Sequence, residues 1–200
     1  MEILIICQAQ SEGNLLNVYE GRADYALTPQ GHQQAKQLAS YLSETFSLDG
    51  VYCSPLLRAR QTAEYIEEMC QVGMLVDEEL VEFDYGQLTG MEKSEANKKF
   101  PPIYNQPPEQ SAYGQETPAA FFTRVQNTLP RIFSSNDEHA TIAIITHEKV
   151  INQLYRTMLE IPDGQRADFV TGETGIHRWS IGRGKFQIVY ANLMPHMQNA

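Results

Sequence analysis

Three side chains occupy positions in the sequence from which they can do acid, base or anion chemistry. His147 follows the apolar run "TIAIIT", Arg58 lies in "SPLLRARQTAEYI", and Glu82 precedes the glycine-bearing turn in "ELVEFDYGQLTG". An imidazole transfers protons near neutral pH, a guanidinium binds phosphate or carboxylate through paired hydrogen bonds, and a carboxyl group can act as a general acid. Each residue also has a plainer interpretation, as a structural histidine, a helix-surface arginine and a surface carboxylate. The elements that position them must therefore be considered.

A fourth candidate lies in "ICQAQSEGN", where Cys7 and Gln8 end the first apolar run. In open α/β proteins, ligand sites assemble at such strand-to-helix junctions. A thiol attacks only as a thiolate, and a cysteine in a buried strand is usually a small apolar filler. We favour the filler interpretation for Cys7.

The apolar periodicity predicts alternating strands and helices. "EILII", "GVYCS" and "TIAIIT" are short and rich in β-branched residues, which is typical of buried parallel strands. Helices are predicted to begin at Thr28-Pro29, at Ser54-Pro55, at Thr117-Pro118 and after His147. Pro130 predicts a kink or an early end of the third helix. "IHRWSI" and "KFQIVYANL" flank the tight "GRGK" and predict a hairpin.

This alternation predicts an α/β fold, a three-layer α/β/α sandwich with a mostly parallel central sheet and helices on both faces. The length of 200 residues and a hydrophobic fraction of 42% suit a single domain over 1–200. Segment 83–116 is rich in proline and glycine and weakly periodic, so we expect a lid-like insertion there.

The composition also excludes several classes of function. A net charge of -10 argues against a general nucleic-acid surface, and the lack of an apolar run of 18 residues argues against a membrane span. The three cysteines have no paired spacing, which favours a cytoplasmic protein, and the N-terminus does not have the form of a signal peptide. The five histidines lack metal-ligand spacing, so neither a metal nor a cofactor is predicted. Nothing in the sequence sets an oligomeric state.

Taken in order, the motifs resemble the histidine phosphatase superfamily, also called phosphoglycerate-mutase-like. The resemblance extends from about residue 3 to about residue 155 through "GRADYALTPQG", "CSPLLRARQTA", "YGQLTG" and "ITHEKVI", and "ANLMPH" is similar to the family's closing strand. In that family the first strand ends in Arg-His-Gly, and the histidine forms a phosphohistidine intermediate. The resemblance places Cys7, Gln8 and Ala9 at these positions. It implies that Asn14, Arg58, Glu82 and His147 stand where the family has its phosphate ligands and proton donor.

These substitutions predict a degenerate member of the family. The amide nitrogen of Gln8 has its electron pair delocalised into the carbonyl, so it cannot attack phosphorus. Cys7 cannot replace a guanidinium, and we expect phosphate affinity to fall by about two to four powers of ten. We therefore predict a pseudoenzyme that binds a phosphorylated small molecule or a protein partner without turning it over.

Two alternatives stay open. The first is an active phosphatase or phosphomutase that uses Cys7, His147 or an activated water as nucleophile, with Glu82 as proton donor. The second is a purely structural subunit that binds no ligand.

Overall fold

The computed structural model describes residues 1–103, 107–161, 167–182 and 185–197. Its strands are β1 (Glu2–Cys7), β2 (Gly50–Cys53), β3 (Met74–Val76), β4 (Thr141–Thr146), β5 (Ile176–Gly182) and β6 (Lys185–Leu193). They form one sheet in the order β3-β2-β4-β1-β5-β6. The first four neighbours are parallel, β5 runs antiparallel to β1, and β6 runs antiparallel to β5.

The predicted parallel strands and the β5–β6 hairpin are confirmed. The turn of the hairpin includes 183–184, which lie outside the described residues. Strand β3 was not predicted, since it has only three residues and two of them are exposed.

The helices are α1 (Glu12–Leu15), α2 (Pro29–Thr45), α3 (Leu57–Cys70), α4 (Lys93–Lys99), α5 (Pro118–Gln126), α6 (Thr128–Ser134) and α7 (Glu148–Met158). Short 3-10 turns cover Glu78–Leu80, Gly86–Leu88 and Pro195–Met197. Helix α2 begins as predicted, because the Thr28 hydroxyl accepts a hydrogen bond from the Gly31 amide and Pro29 occupies the first turn. Thr117 caps α5 in the same way through the amide of Ala120.

One predicted helix boundary is wrong and one is confirmed. Helix α3 begins at Leu57 rather than at Ser54-Pro55, because the Ser54 oxygen accepts from the Leu56 amide and closes a turn ahead of the helix. The early end predicted from Pro130 is confirmed, because α5 ends at Gln126 and α6 begins at Thr128. A proline ring clashes with the carbonyl four residues earlier, so the helix breaks ahead of Pro130, which lies in the first turn of α6.

The core fills both faces of the sheet, as the alternation of side chains in β1 shows. Ile3 and Ile5 pack into a cluster with apolar residues of α5, α6 and α7. Leu4 and Ile6 point to the opposite face and pack with residues of α2 and α3. The predicted three-layer architecture with helices on both faces is therefore confirmed.

Segment 83–116 packs beside the chain that follows α1, through isolated bridges of Val18 to Glu92 and of Tyr19 to Thr89. Within its described residues it holds the Gly86–Leu88 turn and helix α4. The Tyr19 hydroxyl donates to Asn97 Oδ1 at 2.9 Å, and this bond ties the segment to the chain that follows α1. Over the described ranges no helix has the length and hydropathy needed to cross a membrane.

Candidate active site

The polar ends of three neighbouring parallel strands meet at one edge of the sheet. Gln8 follows β1, Ser54 follows β2 and His147 follows β4. Their side chains form a hydrogen-bonded row, with Ser54 Oγ 2.7 Å from His147 Nε2 and His147 Nδ1 2.8 Å from Gln8 Oε1. All three residues are buried. The topology therefore assembles side chains that are distant in sequence into one connected group.

The chemistry of the partners fixes the state of His147. The amide oxygen of Gln8 can only accept, so Nδ1 carries the proton and Nε2 accepts from the Ser54 hydroxyl. Burial lowers the pKa of His147 well below its ordinary value of 6.5, and the charge of Arg58 lowers it further. The imidazole is therefore neutral and both of its nitrogens are engaged.

The thiol of Cys7 lies beside this row, with Sγ 3.7 Å from Gln8 Oε1. Burial raises the pKa of Cys7 well above its ordinary value of 9.0, and the nearby carboxylates of Glu82 and Glu148 raise it further. Cys7 is therefore a protonated thiol at neutral pH. This agrees with the predicted filler role better than with a nucleophile.

The guanidinium of Arg58 is buried and held by the protein itself. One of its terminal nitrogens donates to the Gly21 carbonyl and the other to the Ala23 carbonyl, each at 2.8 Å. Arg58 Nε lies 3.7 Å from Glu20 Oε1, which is within ion-pair distance but makes no hydrogen bond. The charge of Arg58 therefore already has a carboxylate partner.

Sequence reasoning missed Glu20, and no motif around "VYEGR" could have identified it. Its carboxylate accepts a hydrogen bond from Asn14 Nδ2 at 2.9 Å and another from the Ser11 hydroxyl. Its side chain also packs over Gly13, where a Cβ atom would collide with it. Asn14 and Arg58, the two predicted phosphate ligands on α1 and α3, thus both contact the same internal carboxylate.

Glu82 is buried near the start of α7. Its Oε1 accepts from the Phe83 amide at 2.7 Å, and its Oε2 accepts from the Lys149 amide at 3.4 Å. Burial raises the pKa of Glu82 to about 7, although these amides and the charge of Arg58 partly oppose the shift. Glu82 therefore titrates near neutral pH, which suits a proton donor or acceptor.

A cavity of about 390 Å³ opens over these residues. The residues that line it include the predicted Cys7, Gln8, Asn14, Arg58 and Glu82, together with Tyr19, Glu20, Tyr85, Lys93, Glu148 and Glu173. His147 is absent from the lining, because it lies behind Gln8. The structure thus brings the predicted site residues together, with the histidine in a second layer. Among the described residues, no group of three acidic, histidine or cysteine side chains is placed to hold a metal ion.

The profile of the histidine phosphatase superfamily (branch 1) matches residues 3–194. The chain belongs to this superfamily. Phosphoserine phosphatase 1 of Hydrogenobacter thermophilus is 28% identical over 165 residues, which are 80% of this chain and 77% of that protein. Phosphoglycerate mutase-like protein 4 of Arabidopsis thaliana is 31% identical over 77% of this chain and 69% of its own length.

Solved structures of the superfamily share the whole fold. The phosphoserine phosphatase of Entamoeba histolytica in complex with 3-phosphoglyceric acid has a TM-score of 0.81 and 26% identity, with 98% of each chain covered. The α-ribazole phosphatase of Shigella flexneri has a TM-score of 0.85 at 23% identity, with 97% of each chain covered. The expected family and fold class are therefore confirmed.

Proposed function

We propose that this protein is a pseudoenzyme of the superfamily, which binds a ligand in the cavity and does not transfer its phosphoryl group. The observation that carries the proposal is Gln8, whose amide occupies the position at which the resemblance implies the nucleophilic histidine. Its oxygen accepts from His147, and its nitrogen has no free electron pair to attack phosphorus. The loss of a nucleophile from a covalent mechanism costs about 10⁶ in turnover in a well-studied hydrolase.

Neither neighbouring side chain is a good replacement. Cys7 is buried and its raised pKa keeps it as a thiol. His147 donates from Nδ1 and accepts at Nε2, so its available electron pair is already in use. Phosphoryl transfer to His147 would require its hydrogen bond to Ser54 or to Gln8 to be broken first, and transfer to Cys7 would require its thiol to be deprotonated first.

A phosphorylated ligand is the class that the resemblance suggests. In the Entamoeba phosphoserine phosphatase, a histidine-to-alanine mutant forms a complex with phosphoserine, so that protein still binds phosphoserine after it has lost this histidine. In this chain a phosphate would have to compete with Glu20 for Asn14 and Arg58. We therefore propose that phosphate monoesters bind weakly. The three free cysteines are consistent with a location in the cytoplasm.

The test is hydrolysis of p-nitrophenyl phosphate by the purified protein and by a triple variant, Cys7→Arg, Gln8→His and Ala9→Gly. We expect no turnover by the unaltered protein and a gain of turnover in the triple variant, because the variant restores the guanidinium and the imidazole. Turnover by the unaltered protein at a rate comparable with the triple variant would overturn the proposal.

One observation favours a second candidate, a phosphatase in which Glu82 acts on a water molecule. The pKa of about 7 would let Glu82 exchange a proton at neutral pH. This candidate predicts turnover by the unaltered protein that Glu82→Gln abolishes. The exposed Glu109→Gln is the control, because Glu109 lies outside the cavity.

A further inference from the structure

The charges that line the cavity are unsuited to a phosphate. Four carboxylates line it, those of Glu20, Glu82, Glu148 and Glu173, against the two cations of Arg58 and Lys93. We propose that the cavity binds a small polar amine, an organic cation that also carries hydroxyl or carbonyl oxygens. This inference rests on the proposed non-hydrolysing function and names a ligand class that suits the cavity better than the weakly bound phosphate monoesters.

The first step concerns the two cations. Arg58 is bonded to two carbonyl oxygens and paired with Glu20, so its charge is compensated within the protein. Lys93 and Glu148 are both exposed, so water and salt screen their charges alike. The buried carboxyl of Glu82 has no cation at ion-pair distance among the described residues. An ammonium group bound beside Glu82 would stabilise its carboxylate form, whereas a bound anion would oppose ionisation of Glu82.

The second step concerns a hydrogen-bond donor that lacks a partner. Gln8 is only 6% exposed, and its oxygen is taken by His147. Its amide nitrogen makes no hydrogen bond to any described residue, yet Gln8 lines the cavity. Because Gln8 lines the cavity, an acceptor on a bound ligand can reach this donor. The ligand should therefore present an oxygen to Gln8, which a hydroxyl or carbonyl group supplies without adding negative charge.

The third step concerns two aromatic residues of the cavity lining. The rings of Tyr19 and Tyr85 pack together with centroids 4.7 Å apart, and both residues line the cavity. Tyrosine faces attract ammonium groups, most strongly when the cation is partly desolvated. Burial raises the pKa of Tyr85, and the charges of Glu82 and Glu148 raise it further, so the phenol is neutral. Aromatic faces and carboxylates together are suited to an organic cation.

The test uses three probes that share one polyol chain: glucamine carries an amine, sorbitol is neutral, and sorbitol 6-phosphate is an anion. Isothermal titration of the full chain at neutral pH and low salt measures the three affinities. We expect glucamine to bind at least about tenfold more tightly than sorbitol, because one charge-assisted contact is worth that factor. Sorbitol 6-phosphate should bind more weakly than sorbitol. Tighter binding of the phosphate than of glucamine, or no binding of glucamine at millimolar concentration, overturns the inference.

Glu20→Gln is the diagnostic variant, because it removes the charge that compensates Arg58. It should weaken glucamine and strengthen sorbitol 6-phosphate, each by about tenfold. The matched control is Glu12→Gln, which removes an equal charge from an exposed residue outside the cavity. Equal effects of the two variants would overturn the inference.

If Glu20→Gln does not fold, Glu148→Gln replaces it, since Glu148 is exposed and lines the cavity. This variant should weaken glucamine and leave sorbitol unchanged. Unchanged glucamine affinity would count against the inference. Release of inorganic phosphate from sorbitol 6-phosphate is followed separately, because it refutes the non-hydrolysing function whether or not glucamine binds.

Discussion

Replacing Glu82 with glutamine should change how the stability of the protein depends on pH. In the folded protein burial raises the pKa of Glu82 to about 7, whereas in the unfolded chain it titrates near its ordinary value of 4.5. Between these values the folded state holds a proton that the unfolded state has released. Raising the pH through this window therefore lowers the free energy of unfolding. Above pH 7 both states are ionised and the penalty is complete.

The magnitude follows from the size of the shift. Each tenfold change in proton affinity is worth about 1.4 kcal/mol. The change from 4.5 to about 7 therefore corresponds to about 3 kcal/mol of stability that is lost across the window. Glu82→Gln removes this loss, and the amide oxygen of the new glutamine can still accept a hydrogen bond from one of the two backbone amides. Relative to the unaltered protein, the variant should gain about 2 to 3 kcal/mol between pH 5 and pH 8.

Urea denaturation followed by circular dichroism at pH 5, 6, 7 and 8 measures this difference directly. The buried histidines also make stability depend on pH in this range, because their pKa values are lowered in the folded protein and are ordinary in the unfolded chain, but they are present in both proteins and cancel in the comparison. Glu109→Gln, at an exposed position, serves as the control and should follow the unaltered protein. If the free-energy difference between Glu82→Gln and the unaltered protein is the same at pH 5 and pH 8, the burial argument for Glu82 is refuted.

Three further predictions concern reactivity and packing. Under native conditions iodoacetamide should modify the partly exposed Cys70 first and leave Cys7 untouched, because Cys7 is buried and its pKa is raised. Mass spectrometry measures the two rates, and modification of Cys7 as fast as Cys70 would contradict this prediction. Gly31→Ala should destabilise the protein by about 3 kcal/mol in urea titrations, since a Cβ atom there would overlap the carbonyl oxygen of Gln10. A loss of stability below about 1 kcal/mol would show that the backbone can move aside. Ser54→Ala should cost about 1 to 3 kcal/mol by the same measurement, because it leaves an imidazole nitrogen without its donor, and an unchanged urea midpoint would argue against that hydrogen bond.

Local patterns in the sequence were sufficient for most of the fold. The Thr28-Pro29 and Thr117-Pro118 pairs place the starts of α2 and α5 because capping is decided within a few residues. The start of α3 could not be predicted in this way. The Ser54 oxygen accepts from the Leu56 amide in a turn ahead of the helix, and the Ser54 hydroxyl also contacts His147, which follows a distant strand.

The sequence could predict which residues form the candidate site, but not how the charges around the cavity are paired. The resemblance and the strand ends indicated Gln8, Arg58 and Glu82 as neighbours, and all three line one cavity. The pairing of Glu20 with Arg58 depends on how the chain after α1 folds back onto α3, which no spacing in the sequence encodes. The charge balance of the cavity is therefore a tertiary property, and it is the property on which the ligand class depends.

The row from Ser54 through His147 to Gln8 also has a consequence for the order of folding. Its two hydrogen bonds join residues separated by 93 and 139 positions, so neither can form before three strand ends have been brought side by side. The contacts of Glu20 with Ser11 and Asn14 close much shorter loops, of nine and six positions. Amide exchange during refolding should therefore show the Glu20 loop protected before the strand ends, because the shorter loops lose less chain entropy on closing.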